Sequence, residues 1–118
     1  MTFVCYPRCT TCREAQKWLD EHRVAYELRD IKTARPSREE LAAWHSSSGL
    51  PLRKFFNTSG LLYKSLELKN RLPSMSEEDM LELLSTDGML VKRPLLIGED
   101  FVLVGFKEAE WESRLNAR

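Results

Sequence analysis

Apolar and polar positions alternate along the 118-residue chain in patterns that mark its elements one after another. Phe3, Val4, Cys5 and Tyr6 follow in succession, so Thr2–Tyr6 reads as a strand covered on both faces. Pro7 and Arg8 stop it. Cys12, Ala15, Trp18 and Leu19 then recur at helical spacing, which predicts an amphipathic helix over Thr10–His22. Val24–Ile31 alternates in part and reads as a second strand. Strand, helix and strand within 31 residues form a βαβ unit, whose crossover is right-handed.

The middle of the chain changes to helical signals. Ser37 with Glu40 makes a capping-box pattern behind Pro36, and Gly49 closes that helix. Leu41, Trp44 and His45 form its inward stripe. Pro51–Phe56 and Leu61–Leu66 read as short helices separated near Asn57–Gly60. Ser76 followed by Glu77, Glu78 and Asp79 opens another helix, because acids in a first turn suit the helix dipole. Gly88 is expected to end it. Leu95–Ile97 and Phe101–Val104 flank Gly98-Glu99-Asp100 and predict a β-hairpin, and Lys107–Leu115 a last helix. The order is β-α-β, a helical insertion over about residues 36–88, then β-β-α. That is an α/β chain with a thioredoxin-like fold, its central mixed sheet having about four strands. At 118 residues, 1–118 reads as a single domain.

Composition narrows the partners. Apolar residues make up 42% and charged residues 31%, too apolar for disorder. Lys plus Arg total 18 and Asp plus Glu total 18, so no basic excess points to direct nucleic-acid binding. No apolar run approaches the roughly 20 residues of a membrane span, and the N-terminus lacks a signal-peptide pattern. A cytosolic location follows as the expectation. There, cysteines are reduced, so a close pair points to catalysis, redox sensing or metal rather than to a structural bridge.

Cys9-Thr10-Thr11-Cys12 lies between the first strand and the helix it feeds. Helix N-terminal N–H groups favour a thiolate, which puts Cys9 forward as the attacking sulfur. Cys12, one turn on, would resolve a mixed disulfide on Cys9. Arg8 and Arg13 would add positive charge, with Thr10 and Thr11 in the loop. Two plainer readings stay open. A metal site needs four ligands, and neither His22 nor His45 has a partner at ligand spacing. Two inert thiols are the other. Cys5, mid-strand, reads as core. Near the hairpin, Arg93 alone reads as a surface charge or as a cation facing Cys9. Pro94 on spacing alone reads as a trans strand-starter. The acids of Glu77–Asp87 read as a solvated face, and Trp18, Trp44 and Trp111 as core.

Taken together, several motifs resemble the family of ArsC-type arsenate reductases and Spx/MgsR-type regulators. They are Tyr6-Pro7-Arg8-Cys9-Thr10-Thr11-Cys12-Arg13, Trp18-Leu19, Arg29-Asp30-Ile31, Thr86-Asp87-Gly88-Met89-Leu90, Lys92-Arg93-Pro94-Leu95-Leu96 and Val104-Gly105-Phe106 with Glu110. The resemblance implies a cis proline at Pro94 facing the cysteine loop, Cys9 as nucleophile and Arg93 as the oxyanion-holding arginine. Two further arginines of such reductases align near Asn57 and near Gly105 or Phe106, where this chain has none, although Arg53 is close in sequence. Cys12 matches the redox pair of the Spx-like branch. The implied activity is that of a thiol–disulfide oxidoreductase with no bound cofactor. Its substrate would be a small oxidised molecule or a protein disulfide, and its electrons would come from glutathione, glutaredoxin or thioredoxin. The alternative is an Spx-like redox-sensing regulator that binds RNA polymerase. Against that branch stand Gly49–Tyr63, which differs from the Spx insertion, and the lack of a longer basic tail after the last helix. A monomer is the default expectation.

Overall fold

The first strand, β1 (Thr2–Cys5), occupies the centre of a four-stranded sheet. A computed structural model describes residues 1–116. Helix α1 (Thr10–Glu21) follows β1 and returns the chain to β2 (Glu27–Asp30), which pairs parallel with β1 from Thr2↔Glu27 to Cys5↔Asp30. The hairpin strands β3 (Leu95–Ile97) and β4 (Val102–Val104) lie on the other side of β1. Their pairings are antiparallel, and the strand order is β2-β1-β3-β4.

Period-two geometry explains why β1 is apolar at consecutive positions. Phe3 and Cys5 point to one layer with Leu96 and Leu103, where Cys12, Ala15, Trp18 and Leu19 of α1 meet Trp111 of α6 (Glu108–Asn116). Val4 points the other way, with Leu95 and Val102, into a core shared with the inserted helices. Both faces of the sheet are therefore covered. Trp111 is fully buried, donates Nε1–H to the Gly105 carbonyl at 3.1 Å, and meets Phe3, Trp18 and Phe106 edge-on.

The insertion contains α2 (Arg38–Ser48), α3 (Leu61–Ser65), α4 (Leu68–Arg71) and α5 (Glu77–Leu84), with a 3₁₀ turn between α2 and α3 and another between α4 and α5. Ser37 and Glu40 form both arms of the capping box, and Gly49 closes α2 in the left-handed region at φ 69°. Ser76 caps α5 by accepting from the Asp79 N–H.

Four details depart from the sequence reading. β2 is shorter than Val24–Ile31 because β1 begins at Thr2: Glu27 N–H already takes the Met1 carbonyl at 2.9 Å, and Val24 N–H bonds back to the Leu19 carbonyl of α1 at 3.0 Å. Val24 and Tyr26 instead pack on the core as loop residues. Pro51–Phe56 is a 3₁₀ turn at Leu52–Phe55 rather than a helix, and α4 follows where no element was expected. α5 ends at Leu84, well before Gly88. Gly88 opens a 3₁₀ turn and lies against β2, where an added Cβ would stand 1.9 Å from the Ile31 carbonyl oxygen. The Arg93–Pro94 peptide bond, by contrast, is cis as the resemblance implied, and not trans as spacing alone read.

Candidate functional site

Cys9 is the N-cap of α1, in extended backbone at φ −86° and ψ 123°. Its N–H is taken by the Tyr6 carbonyl at 2.9 Å, and its carbonyl accepts from Arg13 at 3.1 Å, the first helical bond. This half-exposed sulfur is on the wall of a cavity of about 230 Å³. Thr11, Asn57, Ser59, Lys92, Arg93 and Lys107 are among the other lining residues. The space is smaller than the roughly 300–1,000 Å³ of common ligand clefts, and it admits a small group or the tip of a larger molecule.

Cys12 is one turn further in and is 1% exposed. Its sulfur accepts the Tyr6 N–H at 3.3 Å, beside the strand that carries Cys5, and it packs in one cluster with Cys5 and Cys9. The hydrogen bond to Cys5, and then burial, push the Cys12 thiol far above the ordinary thiol range. In this pair Cys12 holds its proton, and a departing thiolate can collect it. Cys5 is 3% exposed, in the core as its strand position implied, but it touches the very thiol that the motif assigns to resolution.

Arg93 reaches the same cavity from the segment just before β3. Its guanidinium lies over the Tyr6 ring, 5.2 Å from the centroid. Nε and Nη1 are buried without a protein partner, and no carboxylate pairs with it among the described residues. A desolvated fork with free donors is built to meet a ligand acceptor, since unpaired buried donors otherwise only cost stability. Pro94, buried beside it, accepts from Gly105 N–H at 2.8 Å and so ties β3 to the far wall of the cavity.

The insertion contributes the remaining wall. Asn57 N–H donates to the Leu90 carbonyl at 2.8 Å, Lys92 N–H to the Phe55 carbonyl at 2.7 Å, and Phe56 bridges Val91. These bonds hold Asn57 and Ser59 across from Cys9, with Ser59 Oγ donating to Asn57 Oδ1 at 3.2 Å. Asn57, Ser59 and Arg93 also border a second cavity of about 520 Å³ lined by Leu61, Leu62 and Met89. Leu61 is 86% exposed.

The structure thus gathers Cys9, Thr11 and Arg93 around one space, with Cys12 behind them. Thr10, Arg8 and Arg13 are exposed and do not line it. Arg53 faces other cavities. Lys92, Lys107 and Ser59 were not anticipated. Lys92 stands inside the Lys92-Arg93-Pro94-Leu95-Leu96 motif without a role assigned to it, and Lys107 follows Val104-Gly105-Phe106. Asn57, Gly105 and Phe106, where the reductases' other arginines align, do line the cavity. Among the described residues, no cluster of three or more metal-ligating side chains occurs, and no helix is long and apolar enough to cross a membrane.

The ArsC family model matches residues 5–114. The chain belongs to the ArsC family. It is 54% identical over 114 residues to the YusI protein of Bacillus subtilis, covering 95% of each chain. It is 30% identical to the regulatory protein MgsR of the same organism, over 93% of this chain and 86% of that one. The solved structure of a possible arsenate reductase from Streptococcus mutans superposes with a TM-score of 0.87 at 42% identity, covering 96% of each chain. The mixed sheet with its inserted helices is accordingly the thioredoxin-like fold of the ArsC family.

Proposed function

We propose that this ArsC-family protein is a thiol–disulfide oxidoreductase with Cys9 and Cys12 as its redox pair. One observation carries the reading. A half-exposed Cys9 at a helix N-terminus borders a cavity with a partnerless arginine, and a buried second thiol lies within reach behind it. In the reaction, the Cys9 thiolate attacks one sulfur of an oxidised substrate and displaces the other as a thiolate. Cys12 then attacks Cys9 Sγ, its proton passing to the second departing thiolate. The products are a reduced substrate and a Cys9–Cys12 disulfide, the pair having given up two electrons. An external thiol such as glutathione or thioredoxin restores the dithiol, and no bound cofactor takes part.

Arg93, with Lys92 and Lys107 beside it, supports a substrate carrying an anionic group near the reacting sulfur. The second cavity, with its leucines, supports an apolar extension on that substrate. A small oxidised molecule or a protein disulfide fits this description better than bare arsenate, since the aligned arginine positions hold Asn57, Gly105 and Phe106.

The similarity to MgsR supports a second reading, in which the same pair is the switch of a regulator that binds RNA polymerase. A Cys12→Ser variant separates the two. Under the first reading it accumulates mixed disulfides on Cys9 with low-molecular-weight thiols or client proteins, detectable by non-reducing mass analysis. Absence of any adduct on Cys9 would sink it. Stoichiometric capture of RNA polymerase by the oxidised wild type, without turnover, would favour the second.

A further inference from the structure

The proposed cycle uses two of three neighbouring thiols. Cys5, on β1, sits beneath the first turn of α1, and Cys5, Cys12 and the partly buried Cys9 all pack in one core cluster. Cys12 stands in the middle: its sulfur accepts the N–H of Tyr6, the residue next to Cys5, at 3.3 Å, and it lies in the first turn of the helix that Cys9 caps. Cys5 and Cys12 are 3% and 1% exposed, so water and external thiols reach neither directly. Asp30, the Cα partner of Cys5 in the β1–β2 pairing, is the acid whose charge bears on Cys5, and among the described residues no lysine or arginine is fully buried.

We infer that Cys5 is a third redox thiol, which takes over the disulfide from Cys9 by exchange at Cys12. This rests on the redox role proposed above for Cys9 and Cys12. The Cys5 sulfur attacks Cys12 Sγ of the Cys9–Cys12 disulfide, a Cys5–Cys12 bond forms, the Cys12–Cys9 bond breaks, and Cys9 leaves as a thiolate at the cavity wall. The proton of Cys5 passes to Cys9. One disulfide is exchanged for another, so no oxidant or reductant is consumed. The exchange has two consequences. Cys9 regains its nucleophilic form while the oxidising equivalent is held in the core. That equivalent returns to an external reductant only by exchange back through Cys9, the one partly exposed sulfur of the three.

The chain's own cleavage sites make the test direct. Trypsin cuts after Arg8 and Arg13, so Cys5 is carried on Met1–Arg8, and both Cys9 and Cys12 on Cys9–Arg13. The full chain is oxidised with glutathione disulfide, held at neutral pH, quenched in acid, alkylated with N-ethylmaleimide and mapped. A relay gives a cross-link between the two peptides, with the maleimide on Cys9. Its fraction should be at least about one in a hundred of the oxidised protein, as for a minor state in equilibrium. Cys5→Ala, checked for native circular dichroism, should hold all of the disulfide within Cys9–Arg13. A wild-type disulfide found only within Cys9–Arg13, or a cross-link with the maleimide on Cys12, overturns the relay and leaves the proposed function standing. No disulfide of any kind overturns both.

Discussion

Arg93→Met tests the reading of the site with two measurements that a structural arginine would move in the opposite sense. Two of the guanidinium nitrogens, Nε and Nη1, are buried with no protein partner. Each such donor costs about 1–3 kcal/mol. The stacking over Tyr6 at 5.2 Å returns only about 0.5–2 kcal/mol. Methionine removes both terms and keeps much of the aliphatic packing. Stability should therefore stay level or rise by about 1 kcal/mol, a Tm gain of about 3–6 °C for a chain of this size. Chemistry should suffer instead. Iodoacetate carries a carboxylate and iodoacetamide does not, while both alkylate the same sulfur. A hydrogen bond to a charged group is worth about 1.5–3 kcal/mol, so the iodoacetate-to-iodoacetamide rate ratio at Cys9 should fall roughly ten- to a hundred-fold. Alkylation is followed at the peptide Cys9–Arg13, and unfolding by calorimetry. An unchanged ratio together with a Tm several degrees lower would refute the argument, because Arg93 would then be holding the fold rather than waiting for an anion.

Three other outcomes are expected. Lys107→Met should change the same ratio by less than about threefold, because its exposed charge is screened by solvent; a loss as large as that of Arg93→Met would make Lys107 the principal anion contact. The Glu40 carboxyl is held at about 2, chiefly by its hydrogen bonds from Arg29, against 4.5 when free. Its folded value is depressed, so its stabilisation is complete above pH 4.5 and is lost as the pH falls from there towards 2. With the side chain 39% exposed, about 1–2 kcal/mol of that survives screening, and urea unfolding at pH 6 and pH 3 should show Glu40→Gln losing that much less than wild type on acidification. Gly88→Ala should cost about 3 kcal/mol or more, since its Cβ would meet backbone oxygen rather than a side chain able to move; a normal denaturation midpoint would show that this turn yields freely.

Much of the fold was legible because local rules and tertiary packing agree. The capping box at Ser37 and Glu40, the left-handed close at Gly49 and the Ser76 cap are satisfied within a few residues, so nothing distant could override them. The apolar run of β1 predicted coverage on both faces, and the inserted helices and the α1–α6 layer supply it. Elements that depend on a distant partner were less legible. β2 is cut short by where β1 begins, and Gly88 answers to Ile31 rather than to the helix before it. The 3₁₀ turn at Leu52–Phe55 is pinned by the Lys92–Phe55 bond, which joins segments almost forty residues apart.

The candidate site divides along the same line. By itself the sequence determined the Cys9-x-x-Cys12 pair, its position between a strand and a helix, and the candidacy of Arg93, because spacing and helix termini are local quantities. It could not say which charges would surround the sulfur. Only the tertiary structure left Arg8 and Arg13 in solvent, brought Lys92, Lys107, Asn57 and Ser59 to the cavity, and set no carboxylate of the described residues against Arg93. Only it set Cys5 against Cys12, through the docking of α1 across β1. The reason is physical: helix and strand periods set the direction of each side chain within its own element. What that side chain meets is decided when elements far apart in the chain bury their apolar faces together.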